Sequence, residues 1–257
     1  CTIERVFKMN DFVCKKYPIA DFEAKTAIWP DMHTYEEIQK MRQNYIDIGK
    51  EYLFNSEYMC IVKGKDDQKF KNEDMMWYDG TVEIERNGDA YLHFTEKNGI
   101  PCNDVIPVNI FIGIDPATST DARADYTVIM PIAIDNKRNY YVLPYIRGRF
   151  EPDETCEKVV QQYHILKPKF VTLETTGAQK VFITAIQIMY PDLYIPGLRA
   201  KNNPFQSKSK RYQDILQPLH KQHKIYMLKS MDDLRTEMVM FGTPGVHDDM
   251  IDGLYWA

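Results

Sequence analysis

The sequence predicts an α/β fold, a mixed β-sheet covered by helices on both faces. Three observations lead there. Residues 108–115, VNIFIGID, form an apolar run that reads as a strand buried on both sides. Two further apolar runs follow, DYTVIMPIAI (125–134) and YYVLPYI (140–146), the last two joined by the turn DNKRN. Links this short favour antiparallel neighbours, so the three runs form a three-stranded antiparallel meander. Beyond them helical and strand spacings alternate, the pattern of helix–strand units added to a sheet.

The elements can be justified in chain order. Residues 1–75 are charged, irregular and rich in Tyr and Met. Thr34 is placed to cap a helix with Ile38, Met41, Tyr45 and Ile48 on one face. Residues 62–75, VKGKDDQKFKNEDM, read as a solvated linker. Residues 81–96 alternate about Asn87-Gly88, a hairpin signal. After the meander, 151–166 has helical spacing with Cys156, Val159, Val160, Tyr163 and Leu166 on one face, ended by Pro168. FVTL (170–173) is a short buried strand, and 179–189 a helix with Val181, Ala185, Ile188 and Met189 on one side. LYIPGL (193–198) reads as the fifth strand. A helix over 208–217 turns Tyr212, Ile215, Leu216 and Leu219 inward, and Pro218 kinks or ends it. IYML (225–228) is another strand, Ser230 caps a helix with Asp233 three residues on, and a last helix begins near Asp248. Gly113 keeps one face of the first meander strand slim, as a close-packed helix requires. This order of elements matches a ribonuclease-H-like sheet. Two domains are expected: an incomplete segment 1–75, and 76–257 including the 81–96 hairpin.

With 257 residues and 44% hydrophobic composition the chain can bury a full core. A net charge of −5 gives no global case for nucleic-acid binding, which leaves local patches. Cys1, Cys14, Cys60, Cys102 and Cys156 are odd in number and lack C-x-x-C spacing, which argues against a zinc knuckle and for a reducing compartment. No apolar run is long enough to span a bilayer. The chain starts on Cys and stops inside a helical pattern, DGLYWA, so it reads as a piece of something longer.

Acidic residues sit where open α/β sheets place their chemistry. Asp115 closes the first meander strand, and Glu174 follows FVTL in VTLETTG. A third group, HDDMIDG (247–253), opens the last helix; there Asp248 and Asp252, or Asp249 and Asp252, share a face. Each has a bland reading alone, Asp115-Pro116 as a turn start and Asp248 or Asp249 as a helix cap. Together, converging carboxylates repel unless a cation lies between them. Oxygen ligands without cysteine favour Mg²⁺ or Mn²⁺, and two such ions can drive phosphodiester hydrolysis.

FIGIDPA followed by ADYTVI, then VTLETTGAQ, then a terminal HDDMIDG, resemble the nuclease domain of the tailed-phage terminase large subunit, which packages and cuts concatemeric viral DNA. IWPDMHTYEEIQKMRQNYIDIGKEYLFNSEY resembles the segment joining that family's ATPase domain to its nuclease. The resemblance covers roughly residues 28–60 and 107–257. It implies a ribonuclease-H-like endonuclease acting on double-stranded DNA with two Mg²⁺ or Mn²⁺ ions. Asp115 would be the first ligand, bridging both ions; Glu174 the second; Asp249 or Asp248 the third; and Asp252 a less certain neighbour. Asp125 occupies a position often acidic in the family, either supporting the ligands or serving as a turn residue; His247, by its place beside the acids, reads either as orienting a carboxylate or water or as an exposed neighbour of the helix cap. The implied partners are a portal and a small terminase subunit, in an oligomeric motor in the host cytoplasm, away from membranes. One departure matters. The family's motor needs a G-x-x-x-x-G-K-[ST] phosphate loop, and this chain contains none, so it is not expected to hydrolyse ATP. Residues 1–60 then read as the tail of an ATPase domain plus linker, or as the equivalent of a separate subunit.

Between 199 and 224, Arg199, Lys201, Lys208, Lys210, Arg211, Lys221 and Lys224 face a single acid, Asp214. Lys201, Lys208, Lys210 and Arg211 are the expected phosphate contacts, with little base-edge readout and so little sequence specificity. His220 and His223, with no cysteine nearby, read as surface residues, and Tyr255 and Trp256 as core. Two other readings share the acids: a resolvase- or transposase-type nuclease, and a non-catalytic DNA clamp or motor-docking module.

Overall fold

This computed structural model describes residues 15–48, 51–61, 69–117, 125–174, 179–196, 200–201, 208–243 and 246–257. The chain forms two compact units: Cys1–Lys71 with Val239–His247, and Asn72–Met238 with Asp248–Ala257.

In the first unit, β1 (Ala20–Asp21) and β2 (Thr26–Ala27) pair antiparallel, followed by helices α1 (Tyr35–Asp47) and α2 (Glu51–Glu57). The cap on α1 is a capping box. Thr34 Oγ1 accepts from the Glu37 N–H (3.2 Å), and Glu37 Oε2 accepts from the Thr34 N–H (2.9 Å). Ile38 is buried with Ala20 and Phe54, and Met41 and Tyr45 pack against them. Ile48, expected on the same face, is exposed because the helix ends before it. The expected linker is not wholly solvated: Phe70 and Met75 are buried. Residues 62–68 of that segment lie outside the described residues.

The second unit is built on one sheet. Its strands are β3 (Met76–Ile84), β4 (Ala90–Lys97), β5 (Ile100–Pro101), β6 (Val105–Asp115), β7 (Thr127–Ile134), β8 (Tyr140–Val142), β9 (Ile146–Gly148), β10 (Phe170–Glu174), β11 (Ala200–Lys201) and β12 (Ile225–Leu228). β3 and β4 form the expected hairpin, with Gly88 at φ 93° in its turn. At 11 residues, β6 is long enough to serve two structures. Its first half pairs with β4 and its second half with β10, while β7 runs antiparallel along its other edge. β12 is parallel to both β3 and β8. This closes a six-stranded ring, β6-β4-β3-β12-β8-β7. Nothing in the strand patterns announces the closure, which depends on pairing between strands far apart in sequence. Tyr78, Leu92, Phe94, Ile110 and Tyr141 fill this part of the core.

Beyond the ring the sheet continues open as β11-β10-β6-β7-β9, with β10 parallel to β6 and to β11. Two expected strands are corrected here. YYVLPYI is split into β8 and β9 at Pro144, which has no N–H to donate to a ladder. Residues 193–195 form no strand; the short partner of β10 is β11, at 200–201.

Helices α3 (Pro152–Leu166) and α4 (Gln179–Met189) cover one face of the open sheet. Cys156, Val159, Val160, Phe182 and Ile186 pack there on Ile112, Ile114, Ile129, Val171 and Leu173. The inward face of α4 is therefore offset from the expected one. Phe182 and Ile186 are buried, whereas Ile188 is 74% exposed. Downstream, the expected helix 208–217 is two, α5 (Lys208–Asp214) and α6 (Leu216–Lys221). The break falls at the carbonyl that Pro218 can neither bond nor approach. With the turn interrupted, Tyr212 and Leu216 stay buried while Ile215 points outward. His220 is buried, not superficial, because it lies one turn from Leu216 on the same inner face of α6. The remaining helices are α7 (Asp232–Val239), which starts two residues after Ser230, and α8 (Asp249–Trp256).

The other face of the open sheet belongs to α8. A Cβ built on Gly113 would collide with Gly253 O and Ala257 N and sit 2.8 Å from Trp256 C. One built on Gly253 would sit 2.8 Å from Val128 Cγ1 and 3.1 Å from Met130 Cβ. Helix and strand backbones thus touch without side chains between them. The Gly113→Ala variant is expected to lose about 2–3 kcal/mol of stability in urea denaturation, because backbone rather than a flexible side chain must move. An unchanged midpoint would contradict this packing.

Candidate metal centre

Strand alternation sorts β6 into two sets. Ile112 and Ile114 enter the core under α3 and α4, and Gly113 meets α8. Asp115 shares the register parity of Gly113 and is half-buried at the strand's end, opposite Val128 of β7. On the other edge, Leu173 is in register with Ile114, so one step further Glu174 stands beside Asp115 in the backbone. Glu174 is in turn in register with Lys201 of β11. The side chains of Glu174, Lys201, Lys208 and Arg211 lie outside what is described. Lys210 is exposed on α5.

The start of α8 is at the same end. Asp249 Oδ2 accepts from the Tyr126 N–H at 3.1 Å, and Tyr126 lies two residues before Val128, the partner of Asp115. One oxygen of Asp249 and one of Asp125 lie within 4.8 Å of each other. Asp115, Asp248 and Asp252 are not in that close set. Asp125 is exposed, Asp249 is 3% exposed and Asp252 is fully buried. Asp248 sits at the N-cap position but makes no side-chain capping bond; its backbone carbonyl accepts from Asp252 N–H at 2.9 Å. His247 is half-buried and closes the segment Val239–His247 of the first unit.

A residue unforeseen from sequence supplies the missing cap. Glu237 of α7 is buried, and its Oε1 accepts from the Ile251 N–H at 2.9 Å, in the first turn of α8. Burial pushes the Glu237 carboxyl well above its ordinary value. The Ile251 N–H and the Arg147 cation oppose that rise, and the Asp249 and Asp248 charges add to it. Three carboxyl groups, Glu237, Asp249 and Asp252, are therefore buried around one helix start. Ionising all three in a low dielectric is costly unless a cation shares the site. The donors are hard oxygens, which suit Mg²⁺ or Mn²⁺. Two further basic residues, Arg147 and Arg149, lie beside Tyr126. Their alternation in IRGR, at a strand end, was the available signal. Glu237 offered none, since its partner is remote in sequence.

A raised folded-state value makes the folded chain hold a proton that the unfolded chain releases. Its contribution is then lost as pH rises from the unfolded value near 4.5 toward the raised folded one. Glu237→Gln keeps a carbonyl for Ile251 and removes the titration. In metal-free buffer, the urea stability of the wild type is expected to fall relative to this variant by up to about 1.4 kcal/mol per pH unit above that value. Parallel stability profiles would count against it.

No family model and no curated protein matches the sequence. Among solved structures, the chain is similar to the large terminase nuclease from thermophilic phage G20c, at 15% identity and a TM-score of 0.47, over 74% of this chain and 96% of that one. Structures of that nuclease with bound magnesium, cobalt and zinc are also similar. The P22 large terminase nuclease domain is similar at 11% identity and a TM-score of 0.39, over 58% of this chain and 79% of that one. A large terminase from another thermophilic bacteriophage is similar at 12% identity and a TM-score of 0.42, over 58% of this chain. The matched part spans 39% of that longer protein.

Proposed function

We propose that the unit Asn72–Met238 with Asp248–Ala257 is a divalent-metal-dependent DNA endonuclease of the terminase large-subunit type, with a ribonuclease-H-like sheet. One observation carries the reading. Asp115 and Glu174 end adjacent strands at one register level, and Asp249 is tied by Tyr126 to that same end of the sheet. Asp115, Glu174 and Asp249 are the ligands we assign, with Asp248 and Asp252 in support and Asp125 beside Asp249. Two bound Mg²⁺ or Mn²⁺ ions would supply an activated water and neutralise the leaving oxygen. The chain's own part is positional. Strand β6, flanked on both edges, holds Asp115 still, and the Tyr126 N–H fixes the rotation of Asp249. Lys201, Lys208, Lys210 and Arg211 would contact phosphates, which position DNA without reading bases, so the cutting proposed is of low sequence specificity. In a longer parent chain this unit would cut concatemeric DNA for a packaging motor working with a portal and a small subunit in the host cytoplasm. No helix among the described residues is long and apolar enough to cross a membrane.

The test is plasmid nicking by the purified chain. The wild type is expected to nick supercoiled DNA with Mn²⁺ or Mg²⁺ and to stop in EDTA. Asp115→Asn is expected to lose about a hundredfold or more in rate. Equal nicking by both proteins would remove Asp115 from the site.

A further inference from the structure

Two adjacent residues at the start of β7 hold the chain on both sides of the candidate centre. The ladder between β6 and β7 ends at the pair Asp115 and Val128. Beyond that pair a side chain takes over from the backbone. Thr127 Oγ1 accepts from the Ala117 N–H at 3.0 Å, two residues past Asp115. The residue before it, Tyr126, donates its N–H to Asp249 Oδ2 at 3.1 Å. One dipeptide is therefore bonded both to the segment leaving Asp115 and to the carboxylate of Asp249, which are remote from each other in sequence.

The dipeptide is itself held in place. Thr127 is 1% exposed, so its hydroxyl has little water to exchange for the Ala117 N–H. It is in register with Gly148 of β9, as Val128 is with Arg147. Tyr126 precedes the first residue of β7 and lies outside these ladders. Its ring supplies the anchor instead: the guanidinium carbons of Arg147 and Arg149 lie 3.9 and 4.0 Å from the ring centroid. By strand alternation Tyr126, Val128, Arg147 and Arg149 fall on one side of the sheet, the side on which Gly253 of α8 meets Val128. A carboxylate that accepts from an N–H anchored in this way cannot rotate without losing the bond.

We propose that Tyr126 and Thr127 form a clasp that sets the spacing of Asp115 and Asp249, with Arg147 and Arg149 fastening it through the Tyr126 ring. Both are positioning residues and touch neither metal nor substrate. The clasp rests on the assignment of Asp115 and Asp249 as metal ligands. Hard divalent ions tolerate little error in ligand placement, Mg²⁺ least of all. An outer partner that orients a ligating carboxylate therefore changes metal affinity and rate together. Affinity for DNA, which phosphate contacts supply, is left alone.

The experiment is Mn²⁺ binding to the full chain, followed by loss of the paramagnetic resonance signal of the free ion, with plasmid nicking kinetics run in parallel. Thr127→Val keeps the shape of the side chain and removes the hydroxyl. It is expected to weaken Mn²⁺ binding about tenfold and to lower kcat by a similar factor, with KM for DNA unchanged. Thr127→Ser, which keeps the acceptor, is expected to recover most of both. Tyr126→Ala is expected to repeat the loss, and Tyr126→Phe, which keeps the ring, to recover it; this pair decides the matter if Thr127→Val does not fold. A merely structural dipeptide would lower the melting temperature of the valine and alanine variants and leave Mn²⁺ affinity and kcat alone, and that result overturns the clasp. So does a wild type that binds no Mn²⁺. If the wild type nicks DNA and these variants bind Mn²⁺ as tightly as it does, the clasp is wrong and the nuclease reading stands. If the variants lose Mn²⁺ affinity but the wild type never nicks, the clasp stands and the nuclease reading fails.

Discussion

The contact between Gly113 and Gly253 is the constraint on which the candidate site depends. It removes the side-chain layer that normally separates a helix from a sheet, so α8 lies against the backbone of β6 at Gly113 and against the Val128 and Met130 side chains of β7. A helix held that closely has little freedom to slide or roll. Its first turn, with Asp249 and Asp252, is therefore fixed relative to the strand end that carries Asp115. The same contact explains why the carboxylates are buried. An acid on a helix lying directly on a sheet is removed from water, and Asp249 and Asp252 of α8 are both buried.

That geometry creates an electrostatic problem as well as a site. Buried Asp249 and Asp252 share a helix start with buried Glu237; Asp249 accepts from the Tyr126 N–H and Glu237 from the Ile251 N–H. A neutral Glu237 lessens the repulsion and still accepts the Ile251 N–H. A divalent cation would relieve what is left.

Much of this arrangement was legible in the sequence, for local reasons. VNIFIGID marks a doubly buried strand, and its one glycine marks the approach of a helix. The Asn87-Gly88 turn and the Thr34 cap are set within four residues and form as expected, the reciprocal Glu37 bond completing a capping box. What sequence did not reveal depended on remote pairing. The seating of β12 between β3 and β8 closes a ring that no single segment announces. Residues 193–198 have strand-like composition, yet β10 takes its short partner from Ala200–Lys201 instead. Two faces were misjudged where 3.6-residue spacing allows more than one choice: Phe182 and Ile186 win on α4, and His220 turns inward on α6. At the candidate site, Asp115, Glu174 and the Asp248–Asp249 pair could be named because strand ends and helix starts are visible in one dimension. Glu237, Arg147 and Arg149 matter through neighbours far off in the chain.

The central claim is that Asp115, Glu174 and Asp249 meet around divalent ions. Anomalous scattering from crystals soaked in Mn²⁺ tests it most directly. Peaks are expected at the Asp115 end of the sheet, bonded at about 2.0–2.3 Å to oxygens of Asp115 and Asp249. A well-ordered soaked crystal with no peak there, or with manganese bound only at surface acids elsewhere, would contradict it.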